Sequence, residues 1–505
     1  MTQAETPSSG SAVTPGHHLY QTIGLWLGPV LCVATLLSPP PPGLDPLAWK
    51  TAAVAILMAV WWATEAIPVA ITGILPLILF PLMGITDIKG AAKDFAHPII
   101  FLFLGGFILA LGMQRWNLHR RIALNIILFV GTNPQAIVVG FMIATAFLSM
   151  WISNTATTMM MLPVALSVIG VLTDNPALDP ENGDRAVRPV LDANSRNFAI
   201  ALMLAIAYSA NVGGMGTLIG TGPNALVAAF LKENSGIDIG FAQWMMIGVP
   251  VIFLMLPAVW LVLTRIAYPF TVPETRKGSH VIHDALDAMG PASTPEKRLS
   301  GLFVVVAGLW ILRPWLNVPG LSDTGIAMIG ALALFLVPAG SGNKGEVLLS
   351  WERTTRLPWG VLILIGGGLS LAAAVSSTGL AQWAGNEIMA LDLTHMLMLI
   401  VAIVTLIIFL TELTSNTATT AALLPVVAAI ATAGGVDPIA LAAPAALAAS
   451  CAFMLPVATP PNAIVFSTGL VTIPQMVRAG FIINLMGIVL LSGFAYWLLP
   501  VILGD

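Results

Sequence analysis

Charge is scarce in this chain: 9% of its 505 residues are Asp, Glu, Lys or Arg, against 57% that are apolar. A soluble domain carries roughly 25% charged residues, so the shortage excludes a water-soluble globule and places most of the chain in lipid. Cysteine is nearly absent too. The two present, Cys32 and Cys451, lie inside apolar runs, with no Cys/His spacing that would hold a metal. That excludes a disulfide scaffold, and both are read as core residues. The first 19 residues (MTQAETPSSGSAVTPGHHL) lack the basic start and cleavage pattern of a signal peptide. They are read as a disordered cytoplasmic tail, in which His17 and His18 bind nothing. No HExxH motif or plausible Ser-His-Asp grouping is present, which argues against an enzyme.

What the chain does have is long apolar runs. A helix needs roughly 20 such residues to cross a bilayer. Candidates lie near 20–37, 50–65, 66–84, 98–119, 198–231, 241–269, 300–317, 323–340, 358–385, 440–470 and 474–502, about eleven spans in an all-α polytopic protein. Two further apolar regions, about 136–173 and 396–431, are each split at the centre by the polar run SNTATT. Apolar arms that enter and leave on one side, with a polar tip at mid-depth, make a re-entrant hairpin of each.

Charge placement favours that arrangement. With the N-terminus inside, only Lys50, Lys89, Lys93, Lys232 and Arg313 of the 20 basic residues fall outside. A basic excess on the cytoplasmic side is the expected bias. Eleven spans then put the C-terminus outside.

The duplication is wider than SNTATT, whose copies at Ser153 and Ser415 lie 415 − 153 = 262 residues apart. GTLIGTGPNALV (Gly216–Val227) follows the first copy and LPVATPPNAIVF (Leu455–Phe466) the second, and both carry Thr-x-Pro-Asn-Ala. Upstream, FLFLGGFILALG (Phe101–Gly112) pairs with LILIGGGLSLAA (Leu362–Ala373). The first unit begins with a span running inward and the second with one running outward, so the repeat is inverted. Inverted repeats with interrupted helices mark secondary transporters, with the site near the midplane. The Gly-Gly stretches are read as helix-packing faces, whereas polar backbone breaks at membrane depth need a cavity.

Ser, Thr and Asn ahead of a helical run are capping residues, and the first N–H groups of that helix have no intrahelical partner. Each tip thus offers hydroxyls, an amide and N–H groups at the positive end of a helix dipole, which suits a carboxylate. Two opposed tips suit a molecule with two anionic ends. No Lys or Arg lies near the motifs, and a dianion at the midplane needs compensating charge. Carbonyl and side-chain oxygens of unwound helix hold Na⁺, a hard cation, beside the anion. Glu65 and Glu412 are the notable acids in apolar sequence. Glu65 lies near a span end, facing the cytoplasm or capping a turn, and Glu412 is placed to hold the hairpin tip. A structural hydrogen bond satisfies either acid and is preferred over proton carriage. His97, His119, His280, His283 and His395, at predicted span ends or in loops, are assigned no role.

Both SNT motifs, the paired Pro-Asn-Ala segments and WWATEAIPVAITGILPLILFP (Trp61–Pro81) resemble the divalent anion:sodium symporter (INDY-like) family of di- and tricarboxylate and sulfate carriers. The resemblance covers nearly the whole chain beyond the tail. It implies a homodimer in the cytoplasmic membrane, each protomer with a fixed scaffold and an elevator-like transport domain. On this basis 1–19 is the tail, 20–130 and 300–390 are scaffold, 131–270 and 391–505 are transport domain, and 271–299 is a cytoplasmic linker. The resemblance also implies that Ser153, Asn154, Thr155, Ser415, Asn416 and Thr417 contact carboxylates, helped by Thr221 and Thr459. One sodium would be held by Ser149, Asn154 and Gly220, the other by Thr411, Asn416 and Ala458. The first broken helix departs from the second, with Gly222 where Pro460 stands. Sodium-coupled import of C4-dicarboxylates (succinate, malate, fumarate) is the leading expectation. Sodium-independent exchange, or carriage of citrate or sulfate, is the alternative.

Overall fold

Helices start where the sequence supplies caps. Asp45, Asn133 and Asp437 each accept a hydrogen bond from the first turn of a helix that opens on proline, whose missing N–H costs nothing there. The computed structural model describes residues 19–131, 133–173, 191–271, 277–316, 318–340, 345–389 and 395–503. The expected tail, apart from Leu19, lies outside the described residues, as does part of the linker.

The chain opens with α1 (Leu19–Leu37), α2 (Pro46–Thr64), α3 (Val69–Thr72), α4 (Leu75–Met83) and α5 (Ile88–Lys93). The first repeated set is α6 (Pro98–Arg115), α7 (Leu118–Val130), α8 (Pro134–Ser149) and α9 (Asn154–Leu172). After it come α10 (Ala193–Gly214), α11 (Gly222–Ser235) and α12 (Phe241–Leu261), which runs on into a π-helical stretch, Val262–Ala267. Three helices, α13 (Lys277–Asp287), α14 (Thr294–Leu316) and α15 (Asp323–Leu336), join the halves. The second set is α16 (Trp359–Ser377), α17 (Leu380–Met389), α18 (Met396–Thr411) and α19 (Asn416–Ala433). Then follow α20 (Pro438–Ala449), α21 (Pro460–Phe466), α22 (Ile473–Gly493) and α23 (Leu499–Leu503). Among the described residues ten helical segments are long and apolar enough to cross a membrane, and five shorter ones are apolar.

The repeat holds in three dimensions. Helix α8 starts at Pro134 and α18 at Met396, 396 − 134 = 262 residues apart, and their ends Ser149 and Thr411 keep that spacing. The arms α8 and α18, 16 residues each, are short for a full crossing, whereas α9 and α19, of 19 and 18 residues, are long and apolar enough for one. The run 66–84, read as one span, is interrupted at Gly73–Ile74, and 358–385 is two helices, α16 and α17, parted at Gly379 (φ +81°). The short helices α7, α13 and α17 were not anticipated, because they fall below the length a span-sized window detects.

The glycine pairs pack helices, as expected. A methyl group on Gly105 would stand 2.7 Å from the Ala327 side chain, and one on Gly368 would stand 2.8 Å from Ala421. At Gly367 it would collide with the Gly73 backbone, so α16 meets the α3–α4 interruption main chain to main chain. Helices α10 and α20 are the most enclosed: every residue of α10 from Phe198 to Gly214 is buried, as is α20 from Leu441 to Ala449. Both end inside the protein and leave the chain unwound there. By contrast α1 and α14 expose large apolar side chains (Trp26, Val30, Val304, Trp315), the faces that meet lipid or another apolar surface. Cys32 and Cys451 are buried and unbonded.

Candidate functional site

The two hairpin tips are built alike. Ser149 Oγ lies 2.5 Å from Asn154 Oδ1 and 2.8 Å from the Ala210 carbonyl oxygen. In the second half Thr411 Oγ1 lies 2.8 Å from both Asn416 Oδ1 and the Ala449 oxygen. A hydroxyl has one proton to donate, so each cluster of three oxygens holds fewer hydrogens than contacts. One turn on, Thr158 and Thr420 donate to the main-chain oxygens of Asn154 and Asn416 at 2.8 and 2.9 Å. Ser153 caps α9 through the Ala156 N–H at 3.4 Å, whereas Ser415 makes no such cap bond.

The breaks are held by the asparagines of the two Pro-Asn-Ala segments. Asn224 Nδ2 donates to the oxygens of Gly214 (3.0 Å), Met215 (3.3 Å) and Thr217 (2.7 Å). Asn462 Nδ2 donates to those of Ala452 (3.1 Å) and Leu455 (3.0 Å). Each amide thus ties together carbonyls that a continuous helix would have satisfied.

The N–H groups of the two breaks are treated differently. In the first they return to tight turns, Met215 to Val212 and Gly216 to Gly213, and Thr217 Oγ1 donates to the Met150 oxygen. In the second, the carboxylate of Glu412 accepts from the N–H groups of Phe453 (2.7 Å), Met454 (2.9 and 3.0 Å) and Leu455 (3.1 Å), and from Asn484 Nδ2 (2.7 Å). Glu412 is fully enclosed, and it holds the unwound strand rather than the hairpin tip it was expected to shape. Its counterpart 262 residues earlier is Met150 (412 − 262 = 150). Leaving a buried N–H unpaired costs roughly 1–3 kcal/mol. Glu412→Ala should therefore lower the unfolding temperature of the purified protein sharply and abolish transport, while Glu412→Gln, retaining one acceptor oxygen, should be intermediate. A Glu412→Ala variant with wild-type melting would show that the strand does not depend on the carboxylate.

The tips and breaks enclose one cavity of about 540 Å³, within the roughly 300–1,000 Å³ usual for small-molecule sites. All eight residues assigned to the anion, Ser153, Asn154, Thr155, Thr221, Ser415, Asn416, Thr417 and Thr459, line it. Of those assigned to sodium, Asn154, Gly220, Asn416 and Ala458 line it, while Ser149 and Thr411 sit fully buried behind their asparagines. A methyl group at Gly214 would stand 2.8 Å from Asn154 Oδ1 and 3.2 Å from the Gly220 oxygen. Two of the oxygens assigned to the first sodium therefore face one small space that a glycine leaves open.

Gly222 has a reason the sequence did not display. A Cβ there would come 2.8 Å from Thr417 Cγ2 and closer still to its hydroxyl, so a proline matching Pro460 would collide with the opposite hairpin tip. The contact presses the second SNT motif against the first break.

Several lining residues have no role in the sequence analysis, Asn211, Phe103, Phe107 and Val361 among them. Asn211, on α10, donates to Thr459 Oγ1 (3.1 Å) and the Ala452 oxygen (3.3 Å), bridging the halves. Its own Oδ1 is buried with no partner among the described residues. Phe103 and Phe107, on the Gly-rich α6, supply apolar wall. Glu65 lines the cavity too, from the end of α2, where it is the C-cap residue at φ 46°, so it does cap a turn. Among the described residues no Lys, Arg or His lines the cavity. Two histidines assigned no role are bonded: His97 Nε2 to Glu233 at 3.2 Å, and His119 Nδ1 to the Met113 oxygen at 3.0 Å.

Comparison with known proteins gives a consistent picture. A family profile described as the sodium:sulfate symporter transmembrane region matches residues 21–503. The sodium-dependent dicarboxylate transporter SdcS of Staphylococcus aureus, in strains USA300 and MRSA252, is 41% identical over 492 residues, covering 96% of this chain and 92% of SdcS. Among solved structures, MtrF of Neisseria gonorrhoeae aligns with a TM-score of 0.58 at 13% identity, over 95% of this chain and 96% of that one. The YdaH transporter of Alcanivorax borkumensis gives 0.55 at 14%, over 95% and 97%. At such identities the likeness concerns the fold alone.

Proposed function

The chain belongs to the sodium:sulfate symporter family, and from that premise we propose that it is a sodium-coupled symporter importing C4-dicarboxylates across a bacterial cytoplasmic membrane. It is an integral membrane transporter, and no catalytic step is assigned to it. One observation carries the reading: the cavity joins two SNT tips and, among the described residues, has no basic lining residue. A dianion there is held by hydroxyls, amides and helix N-termini, and its charge is offset only by cations that arrive with it. Oxygen clusters at Ser149–Asn154–Gly220 and Thr411–Asn416–Ala458 suit Na⁺. The name of SdcS, with its sodium and dicarboxylate, supports the same substrates.

Ser153, Asn154, Thr155 and Thr221 bind one carboxylate, and Ser415, Asn416, Thr417 and Thr459 the other. The transport domain, 131–270 with 391–505, moves the loaded site across the membrane against a scaffold of 20–130 and 300–390, as an elevator in a homodimer. The basic excess on one side supports an N-terminus inside and a C-terminus outside. With both native cysteines buried, single cysteines at Lys297 and Lys89 should label from the cytoplasm and from outside, respectively. Labelling of both from one side would reverse that topology.

The direct test is uptake into proteoliposomes of succinate, malate, fumarate, citrate and sulfate, with and without an inward sodium gradient. C4-dicarboxylates should accumulate only with sodium. Succinate counterflow without sodium would make the protein an exchanger, and preferential uptake of citrate or sulfate would replace the substrate.

A further inference from the structure

A second pocket, of about 400 Å³, opens where α10, the end of the π-helical stretch and α22 converge, and Arg196, Asn197, Tyr268, Gln475 and Arg478 line it. Its frame is fixed by hydrogen bonds. Tyr268 Oη donates to the Gln475 oxygen at 2.6 Å, and Asn197 Nδ2 to the Pro269 oxygen at 2.8 Å. Gln475 in turn is engaged in the cap of α22 at Thr472. The two arginines are not spent on this frame. Neither forms an ion pair among the described residues, and Arg196 has one long bond, 3.3 Å, to the Leu191 oxygen. The acid nearest Arg196 in sequence, Asp192, is occupied in capping α10. Hydrogen bonds from Ser195 and Asn194 hold its carboxyl below the usual carboxylate range. Among the described residues no acid lines the pocket.

Its depth in the membrane can be read from α22. Phe481, Leu485 and Val489 are exposed by 43, 45 and 71%, and with Arg478 they fall at i, i+3, i+7 and i+11, one helical face. Arg478 is thus the cytoplasmic foot of an apolar stripe that faces acyl chains. On the other side Leu261 and Ile266 are exposed apolar residues, and Arg265 lies over the Trp260 ring at 5.7 Å, an arrangement usual where a chain leaves the hydrocarbon. Guanidinium groups with open donors, framed by neutral hydrogen-bonding groups and set at the foot of an apolar face, suit a phosphate oxyanion.

We propose that this pocket binds the phosphate of an acidic phospholipid headgroup in the cytoplasmic leaflet, with acyl chains along the α22 stripe. Arg196 and Arg478 grip the phosphate oxygens, and Tyr268 and Gln475 set the width of the mouth. All of these residues lie in the proposed transport domain, so the lipid would travel with it or be shed as it moves.

The test uses the full-length protein in nanodiscs with spin-labelled phosphatidylglycerol or phosphatidylcholine. The wild type should prefer the acidic lipid, and preference should fall about fivefold for each arginine replaced by glutamine, Arg196→Gln and Arg478→Gln. Arg478→Lys should keep most of it. Because both side chains are exposed, the single variants should fold even if the double variant does not. In lipid-free detergent, millimolar inorganic phosphate displacing a labelled soluble phosphate ester from the wild type but not the double variant would also support the site, with a soluble source. Equal preference in wild type and variants would overturn the proposal. So would displacement of the labelled lipid by succinate, which would make the pocket a substrate antechamber.

Discussion

Asn154→Ala and Asn416→Ala should each reduce sodium-driven dicarboxylate uptake at least about 100-fold, while the protein remains folded and inserted. Each amide stands where two functions meet. Its Oδ1 faces Ser149 or Thr411 in the oxygen cluster assigned to sodium, and the residue lines the cavity assigned to the anion. A hydrogen bond to a charged group contributes roughly 1.5–3 kcal/mol, and losing such a term for two ligands compounds to at least two powers of ten. Folding should be spared because both residues are the first of a helix, where alanine is well tolerated. The measurement is initial uptake rate in proteoliposomes, with circular dichroism and size-exclusion profiles as controls. Substantial uptake by both folded variants would remove Asn154 and Asn416 from the site.

Raising sodium should tighten succinate binding, and succinate should tighten sodium binding by the same factor. That equality follows from one coupling free energy linking both equilibria, typically 1–3 kcal/mol or about 5- to 150-fold in affinity. Two substitutions separate the cation from the anion. Thr411→Ala removes the hydroxyl between Asn416 Oδ1 and the Ala449 oxygen, behind the cavity wall. It should weaken the coupling more than the binding of succinate at saturating sodium. Gly214→Ala puts a methyl group 2.8 Å from Asn154 Oδ1 at a helical position whose backbone accepts alanine. The amide must turn away, and coupling at the first cluster should collapse. Titrating succinate by calorimetry across sodium concentrations, with choline holding ionic strength constant, reads all three proteins. A wild-type affinity independent of sodium would leave exchange as the mechanism.

Much of the site was legible because its chemistry contradicts its surroundings. SNTATT in lipid-compatible sequence has no bland structural purpose, and a second copy 262 residues on marked the repeat before any helix was placed. The unread parts depend on partners that are remote in sequence. Gly222 looked like a missing proline because its reason is Thr417, 417 − 222 = 195 residues away. Glu412 lies beside the second motif, yet its carboxylate is used 41 to 43 residues later. Asn211 sits within an apolar helix, and its bonds to Thr459 and the Ala452 oxygen, 248 and 241 residues on, give it a role. Helices α7 and α17 were missed for another reason: at 13 and 10 residues they are shorter than the run a crossing needs.

The cavity without a basic side chain also decides how the carrier responds to voltage. In the proposed elevator a fixed arginine would move with the site and add its charge to every crossing, loaded or empty. Fixed charges such as the Glu412 carboxylate return when the empty carrier resets, so the net charge carried per cycle with a dianion is the number of sodium ions minus two. Two ions make the complete cycle electroneutral. A third makes it carry one positive charge inward, favoured by about 2.3 kcal/mol per 100 mV. In that case succinate elicits an inward current whose size counts the ions directly.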